Sequence, residues 1–341
     1  MKKIRLSFLI LIFFSFISCF SKNKRLLING AGASFPYILY SKWITEYHDI
    51  SSDVAINYQS IGSGGGIRQL LAGTLDFGGT DIPVSKEEQK LSKKEILHIP
   101  TALGAVALTY NVPSLKEKEL KMTGELLAEI FIGKIKNWND PKIKKWNPNL
   151  NFPSLPIVII YRADGSGTTS FFTEFLSIVS PSFLKTIGKG KSVSWLVGVG
   201  GKGNEGVMGL VNKMEGALAY ISLSYAMSQK LPVMAIQNKE KKFVRPNLKT
   251  IQAAAQQSLK RNQAYTSSLI YTKGKNSYPI SGYTYLILPK KMSNKKGVAL
   301  VEFLKWALSK GQSFTESLYF ISLPPSVVKS ALEQLSLLEL D

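Results

Sequence analysis

Short β-like runs alternate with helical stretches along this chain, and that alternation restricts it to an α/β architecture. Residues 54–58, 105–110 and 157–161 read as strands. Helical patterns span 36–47, 66–73, 123–132, 168–178, 203–213, 248–261 and 295–310. In the last of these Val298, Leu300, Val301, Leu304 and Leu308 recur at helical spacing and mark a core face. The chain has 341 residues, enough for one large or two ordinary domains, and with 45% hydrophobic and 19% charged residues it is neither disordered nor fibrous. No repeat, low-complexity tract or Pro/Gly/Ser-rich linker divides it.

The first residues carry an address. Lys2, Lys3 and Arg5 precede an apolar run over 6–17, after which come Ser18, Cys19 and the polar stretch 21–25. A basic start, a short apolar middle and a small residue at the cut make an export signal. A spanning helix needs roughly 20 apolar residues, and this run is shorter. Phe16-Ile17-Ser18-Cys19 resembles the lipobox of bacterial lipoproteins, with Phe16 where Leu is commonest. The expectation is a signal peptide over 1–18 and a lipid-modified Cys19, which is the chain's only cysteine. Several acyl chains hold a soluble domain stably to a membrane face, each buried methylene contributing about 0.8 kcal/mol.

With 43 Lys and Arg against 23 Asp and Glu, the formal charge is +20. Such a surface concentrates anions, from small oxyanions to lipid head groups and nucleic acid, although a Lys-rich solvated surface explains the number equally well. Aromatic residues are not interleaved with basic ones as in a nucleic-acid platform, so no nucleic-acid partner is expected. One cysteine and two histidines fifty residues apart, His48 and His98, exclude a disulfide framework and a zinc spacing. Neither histidine has an obvious nucleophilic partner, so an enzyme is not expected. The string 198–203 matches the dinucleotide fingerprint only formally, for no ribose-binding acid follows it.

Four segments combine Gly with hydroxyl residues where an apolar run gives way to a helical pattern. They are Gly30-Ala31-Gly32-Ala33-Ser34-Phe35-Pro36, Ser60-Ile61-Gly62-Ser63-Gly64-Gly65-Gly66, Gly79-Thr80-Asp81-Ile82-Pro83 and Arg162-Ala163-Asp164-Gly165-Ser166-Gly167-Thr168-Thr169. Gly lets backbone approach a ligand closely, and the first helical turn offers free N–H groups at a positive dipole end. Any one such loop is ordinarily a helix cap. Four together describe a small-oxyanion site that needs no metal or cofactor. Arg162 adds a planar fork for bidentate pairing, and Asp164, two residues on, can steady it; alternatively the two form a surface ion pair. Asp81 discriminates between anions. A carboxylate aimed at a bound anion repels it unless a proton lies between them, which selects phosphate, or arsenate, over fully ionised sulfate or molybdate. Asp81 is also a common turn residue.

At these residues the chain resembles the periplasmic phosphate-binding proteins of phosphate-specific ABC transporters along nearly its whole mature length. The Arg-Ala-Asp-Gly-Ser-Gly-Thr string over 162–168 is the most specific match. Residues 134–140, 200–206, 216–220 and 322–324 follow in the same order. The resemblance implies a type II periplasmic binding-protein fold, two α/β lobes joined by a two-strand hinge with the ligand in the cleft. It places lobe 1 at 24–102 plus 280–341 and lobe 2 at 103–279. It implies that Ser34 and Phe35 sit at the first helix start, that Ser63 donates, and that Asp81 accepts the ligand's proton. Arg162 pairs with the anion, Asp164 steadies it, and Ser166, Gly167 and Thr168 offer donors at another helix start. Ser34 stands where Thr is usual. The implied function is extracytoplasmic capture of inorganic phosphate, with no cofactor, for delivery to the permease and ATPase subunits of an ABC importer. A different reading is a surface lipoprotein adhering to acidic polymers through its charge.

Overall fold

The computed structural model describes residues 25–92, 94–259 and 268–341. Residues 1–18 and Cys19, the expected signal and anchor, lie outside the described residues, as do the last two positions of the helix expected over 248–261. The strands are β1 (Leu26–Gly32), β2 (Val54–Ser60), β3 (Phe77–Thr80), β4 (Ile96–Asn111), β5 (Lys121–Met122), β6 (Val158–Arg162), β7 (Val199–Gly201), β8 (Ala217–Ser222), β9 (Ala235–Gln237), β10 (Phe243–Val244) and β11 (Ser281–Pro289). Between them lie the helices α1 (Tyr37–His48), α2 (Ser63–Leu71), α3 (Lys86–Lys90), α4 (Gly124–Phe131), α5 (Pro141–Trp146), α6 (Gly167–Val179), α7 (Pro181–Thr186), α8 (Gly203–Lys213), α9 (Leu223–Ser228) and α10 (Leu248–Leu259). The chain closes with α11 (Asn294–Ala307), α12 (Pro325–Leu335) and two short strands, β12 (Lys291–Met292) and β13 (Glu339–Leu340), which pair in parallel.

Eight strands form one sheet in the order β2-β1-β3-β11-β4-β8-β6-β7. At one end β1 pairs in parallel with β2 and β3, and at the other β6 pairs in parallel with β7 and β8. Each parallel pair needs a helical crossover, which α1, α2, α6 and α8 provide. These two units are the lobes of a periplasmic binding-protein fold. β4 and β11 join them. β4 pairs antiparallel with β11 from Ile96 to Ala105 and with β8 from Val106 to Asn111, so one strand serves both lobes in succession.

The first lobe packs Tyr40, Trp43, Tyr58 and Phe77 into a buried aromatic core, with Tyr58 T-shaped to Tyr40 and stacked on Phe77. The Trp43 Nε1 donates to Gly311 O at 2.6 Å, tying the C-terminal segment back to α1. The second lobe buries Phe131, Phe172 and Tyr220, the last two stacked at 4.6 Å between centroids. Phe35, wholly buried, sits edge-on to Phe171 of α6 and to Phe320, so its ring touches both halves of the molecule.

The sequence pattern started the second helix at residue 66, but α2 starts at Ser63 and takes in the whole Gly64-Gly65-Gly66 run. Glycine is a poor helix former, and here packing overrides propensity. A Cβ on Gly66 would lie 2.6 Å from Gly32 Cα and 2.7 Å from Ala31 O. The first turn of α2 therefore rests directly on the backbone of β1, which aims its N-terminus at the strand ends.

Candidate functional site

All the sequence-selected residues follow the C-terminal ends of parallel strands, where α/β sheets place their ligands. β1 leads to Ser34 and Phe35, β2 to Ser63, β3 to Asp81, and β6 ends on Arg162 and leads to Asp164, Ser166, Gly167 and Thr168. Ser34, Ser63, Asp81, Arg162, Ser166 and Thr168 are all buried, with Asp81 2% and Arg162 4% exposed. That burial removes the surface ion pair as an account of Arg162 and Asp164.

Contacts between the lobes bring these groups to one place. The Gly167 N–H donates to Ser63 Oγ at 3.2 Å, and the Gly64 N–H donates to Gly165 O at 2.8 Å. The N-terminus of α2 thus meets that of α6 head-on, with two positive dipole ends turned to one point. α8 contributes a third start. There the Asn204 N–H and Nδ2 both donate to Ser34 Oγ, at 3.1 and 2.8 Å. Two donors on one hydroxyl oxygen leave its own hydrogen free to point elsewhere. At the rim Lys191 of the second lobe pairs with Glu88 of the first. Glu88 also closes the capping box of α3 with Ser85, so the ion pair is anchored on a fixed helix end.

Arg162 is held as a fork. Its Nε donates to Asp164 Oδ1 at 2.7 Å, its Nη2 to Asp164 Oδ2 at 2.5 Å and its Nη1 to Thr168 Oγ1 at 3.3 Å. Burial pushes the Asp164 carboxyl up, but the Arg162 hydrogen bonds and charge, together with the Gly203 N–H, hold it below the ordinary carboxylate value. The string that formally matched a dinucleotide fingerprint thus serves this pair: β7 runs into α8, and Gly203 donates to Asp164 at 3.0 Å.

Asp81 behaves oppositely. Burial raises its pKa to about 7, against the lowering effects of the Thr284 hydrogen bond, Arg162 and Ser63. Its Oδ2 accepts from Ser63 Oγ at 3.2 Å and its Oδ1 from Thr284 Oγ1 at 2.8 Å. A Cβ on Gly167 would fall 2.4 Å from Asp81 Oδ2. Only glycine at that position lets the α6 terminus come so close to the carboxylate.

Two details differ from the sequence reading. Ser34 and Phe35 do not start the first helix; α1 begins at Tyr37, and the Tyr37 N–H donates to Ser34 O at 3.2 Å in the turn that leads into it. The Ser166 hydroxyl faces its own helix, capping α6 by accepting from Thr169 N at 3.0 Å. Asn204 and Thr284 were not singled out from sequence. Asn204 lies inside a quoted string, 200–206, while Thr284 sits in an apolar strand with no local signal.

Residues 21–310 match the family model described as a PBP superfamily domain. A phosphate-binding protein PstS of Haemophilus influenzae is 40% identical over 309 residues, covering 90% of this chain and 92% of that one. Its namesake in Methanocaldococcus jannaschii is 37% identical, covering 93% and 88%. Among solved structures, a high-affinity periplasmic phosphate-binding protein (PfluDING) bound with phosphate superposes with a TM-score of 0.70 at 20% identity, covering 90% of this chain and 93% of that one. A putative phosphate ABC transporter substrate-binding protein with bound phosphate from Clostridium perfringens does so at 0.63 and 19%, covering 87% and 100%.

Proposed function

Because the chain belongs to the phosphate-binding protein PstS family of the PBP superfamily, we propose that it captures inorganic phosphate between its lobes, outside the cytoplasm, for an ABC importer. It is a substrate-binding protein and not an enzyme. Phosphate is its ligand, and the site calls for no cofactor. The observation that carries the reading is Asp81, a buried acceptor facing the N-terminus of α6 across the lobe boundary, with Arg162 nearby.

In this reading Ser34 and Thr168 donate through their hydroxyls, and the Ser63 hydroxyl turns from Asp81 to the anion. The backbone N–H groups of Phe35, Gly167 and Thr168 add donors at chain turns and helix starts, Gly167 exchanging Ser63 Oγ for the anion. Ser166 holds the α6 terminus open for that purpose. Arg162 supplies the compensating charge, steadied by Asp164, and Asp81 accepts the proton that phosphate keeps at neutral pH. We take the lobes as 24–102 plus 280–341 and 103–279, closing on dehydrated anion by hinge motion. The closed form is what permease subunits, coupled to their ATPase, would recognise. Titration calorimetry with the purified protein is expected to show tight phosphate binding and no sulfate signal at pH 8. Silence towards phosphate would remove this reading.

We place the protein on a membrane face through a lipid on Cys19, from the lipobox-like 16–19 and the short apolar run before it. Among the described residues no helix is long and apolar enough to cross a membrane. Metabolic labelling with a fatty-acid analogue is expected to mark the wild-type chain and not Cys19→Ala; equal labelling of both would sink the assignment.

A further inference from the structure

Asp81 is useful as a selective acceptor only while it is ionised, and its surroundings work against that. It is buried, the Asp164 carboxylate that follows β6 acts against its charge, and Tyr40 of α1 and Tyr58 of β2 stand near enough that its charge opposes their ionisation. Arg162 is the one cation facing it among the groups that act on it, and both of the guanidinium's bonds along Nε and Nη2 are taken by Asp164. The remaining help comes from hydroxyls. Ser63 Oγ lies 3.2 Å from Oδ2 and is shared, since it also receives the N–H groups of Gly167 and Asp81 at 3.2 and 3.3 Å. Thr284 Oγ1 lies 2.8 Å from Oδ1 and is fully buried on β11.

The direction of the Thr284 bond is fixed by what surrounds it. A carboxylate without a proton only accepts, so the Thr284 hydroxyl donates. The backbone at Thr284 is held from the other side: Thr101 Oγ1 donates to Thr284 O at 3.0 Å, which leaves Tyr40 O–H to donate to Thr101 Oγ1 at 2.6 Å. β11 runs antiparallel to β3 with Tyr285 opposite Thr80, so the next step of the same register sets Thr284 opposite Asp81; the shift between Thr284 and Tyr285 falls on the β4 side, where Thr101 is the extra residue. A hydrogen bond to the charged form of a carboxyl favours that form.

We propose that Thr284 is a positioning and specificity-determining residue: by donating to Asp81 Oδ1, its hydroxyl keeps the carboxylate an acceptor and so excludes tetrahedral anions that carry no proton. The proposal rests on the phosphate reading above. Without the Thr284 hydroxyl, Asp81 retains its proton to higher pH, and a protonated Asp81 donates to sulfate as readily as it pairs with phosphate.

The test is calorimetric affinity of the full chain for phosphate and for sulfate from pH 5.5 to 8.5, for wild type, Thr284→Val and Thr284→Ser. In Thr284→Val the phosphate-to-sulfate affinity ratio at pH 7.5 is expected to fall by roughly tenfold or more, and the pH below which sulfate binds to rise by about one unit. Thr284→Ser keeps the hydroxyl and is expected to restore both. Thr284→Ala gives a second hydroxyl-free variant should valine prevent folding. A ratio and a pH edge unchanged in a folded hydroxyl-free variant would overturn the role of Thr284 and leave the phosphate reading intact. Absence of phosphate binding in the wild type would overturn the phosphate reading, and this proposal with it.

Discussion

Asp81→Asn is expected to raise the thermal midpoint of the unliganded protein at pH 8 while admitting sulfate to the cleft. Burial lifts the folded-state pKa of Asp81 from 3.8 to about 7. A raised acid binds its proton more tightly folded than unfolded, so its contribution runs against stability as pH rises. The penalty is absent below about pH 4, grows through the interval up to 7, and is complete above it. Three pKa units correspond to about 4 kcal/mol at full ionisation. Asparagine keeps the shape and an acceptor for Thr284, and its amide can donate to Ser63 Oγ. Thermal unfolding of the two proteins at pH 8 and at pH 4.5 is the check: the advantage of the variant should shrink to about a quarter at the lower pH, roughly 1 kcal/mol. An advantage equal at both would mean that Asp81 is not the source. Such a stability gain, traded against selectivity, is what a residue retained for binding leaves behind.

Gly167→Ala should abolish ligand-induced closure while leaving both lobes folded. The added methyl would meet Asp81 at Oδ2, Cβ and Cγ, at 2.4, 2.5 and 2.8 Å. Asp81 cannot swing aside without losing the Thr284 and Ser63 bonds, and Gly167 cannot retreat without losing its own bond to Ser63. Within α6 itself alanine is the better helix former, by about 1 kcal/mol, so the lobe carrying it does not suffer. Phosphate affinity is expected to drop at least about 100-fold, some 2.7 kcal/mol. Small-angle scattering should show that phosphate contracts the wild type but not the variant. Binding within threefold of wild type would contradict the close approach of α6 to Asp81.

The loops of the site were legible because their signals are local. Glycine beside hydroxyls at the end of an apolar run marks Ser34, Ser63, Asp81 and the 162–168 segment without any knowledge of the fold. Asn204 and Thr284 escaped because their partners lie 170 and 203 residues away in sequence. The first half of β4 and all of β11 were passed over for a related reason. β11 is buried along its whole length, so no alternation of apolar and polar residues reveals its period. The short helices α3, α5, α7 and α9 span only five or six residues each, too few to show a helical stripe. The misplaced start of α2 is the reverse case, a clear propensity signal outweighed by backbone contact.

The passage of β4 through both lobes bears on how the molecule moves. Hinged proteins are commonly pictured as two bodies on a slack tether, but here the two bodies share one hydrogen-bonded ladder, Ile96 to Asn111, with β11 alongside. The proposed closure therefore has to pass through that ladder, as a change in its twist, and cannot leave it undisturbed. In that motion the sheet would act as a spring, so that release of the anion would be set by elasticity in the strands as well as by the contacts around the ligand.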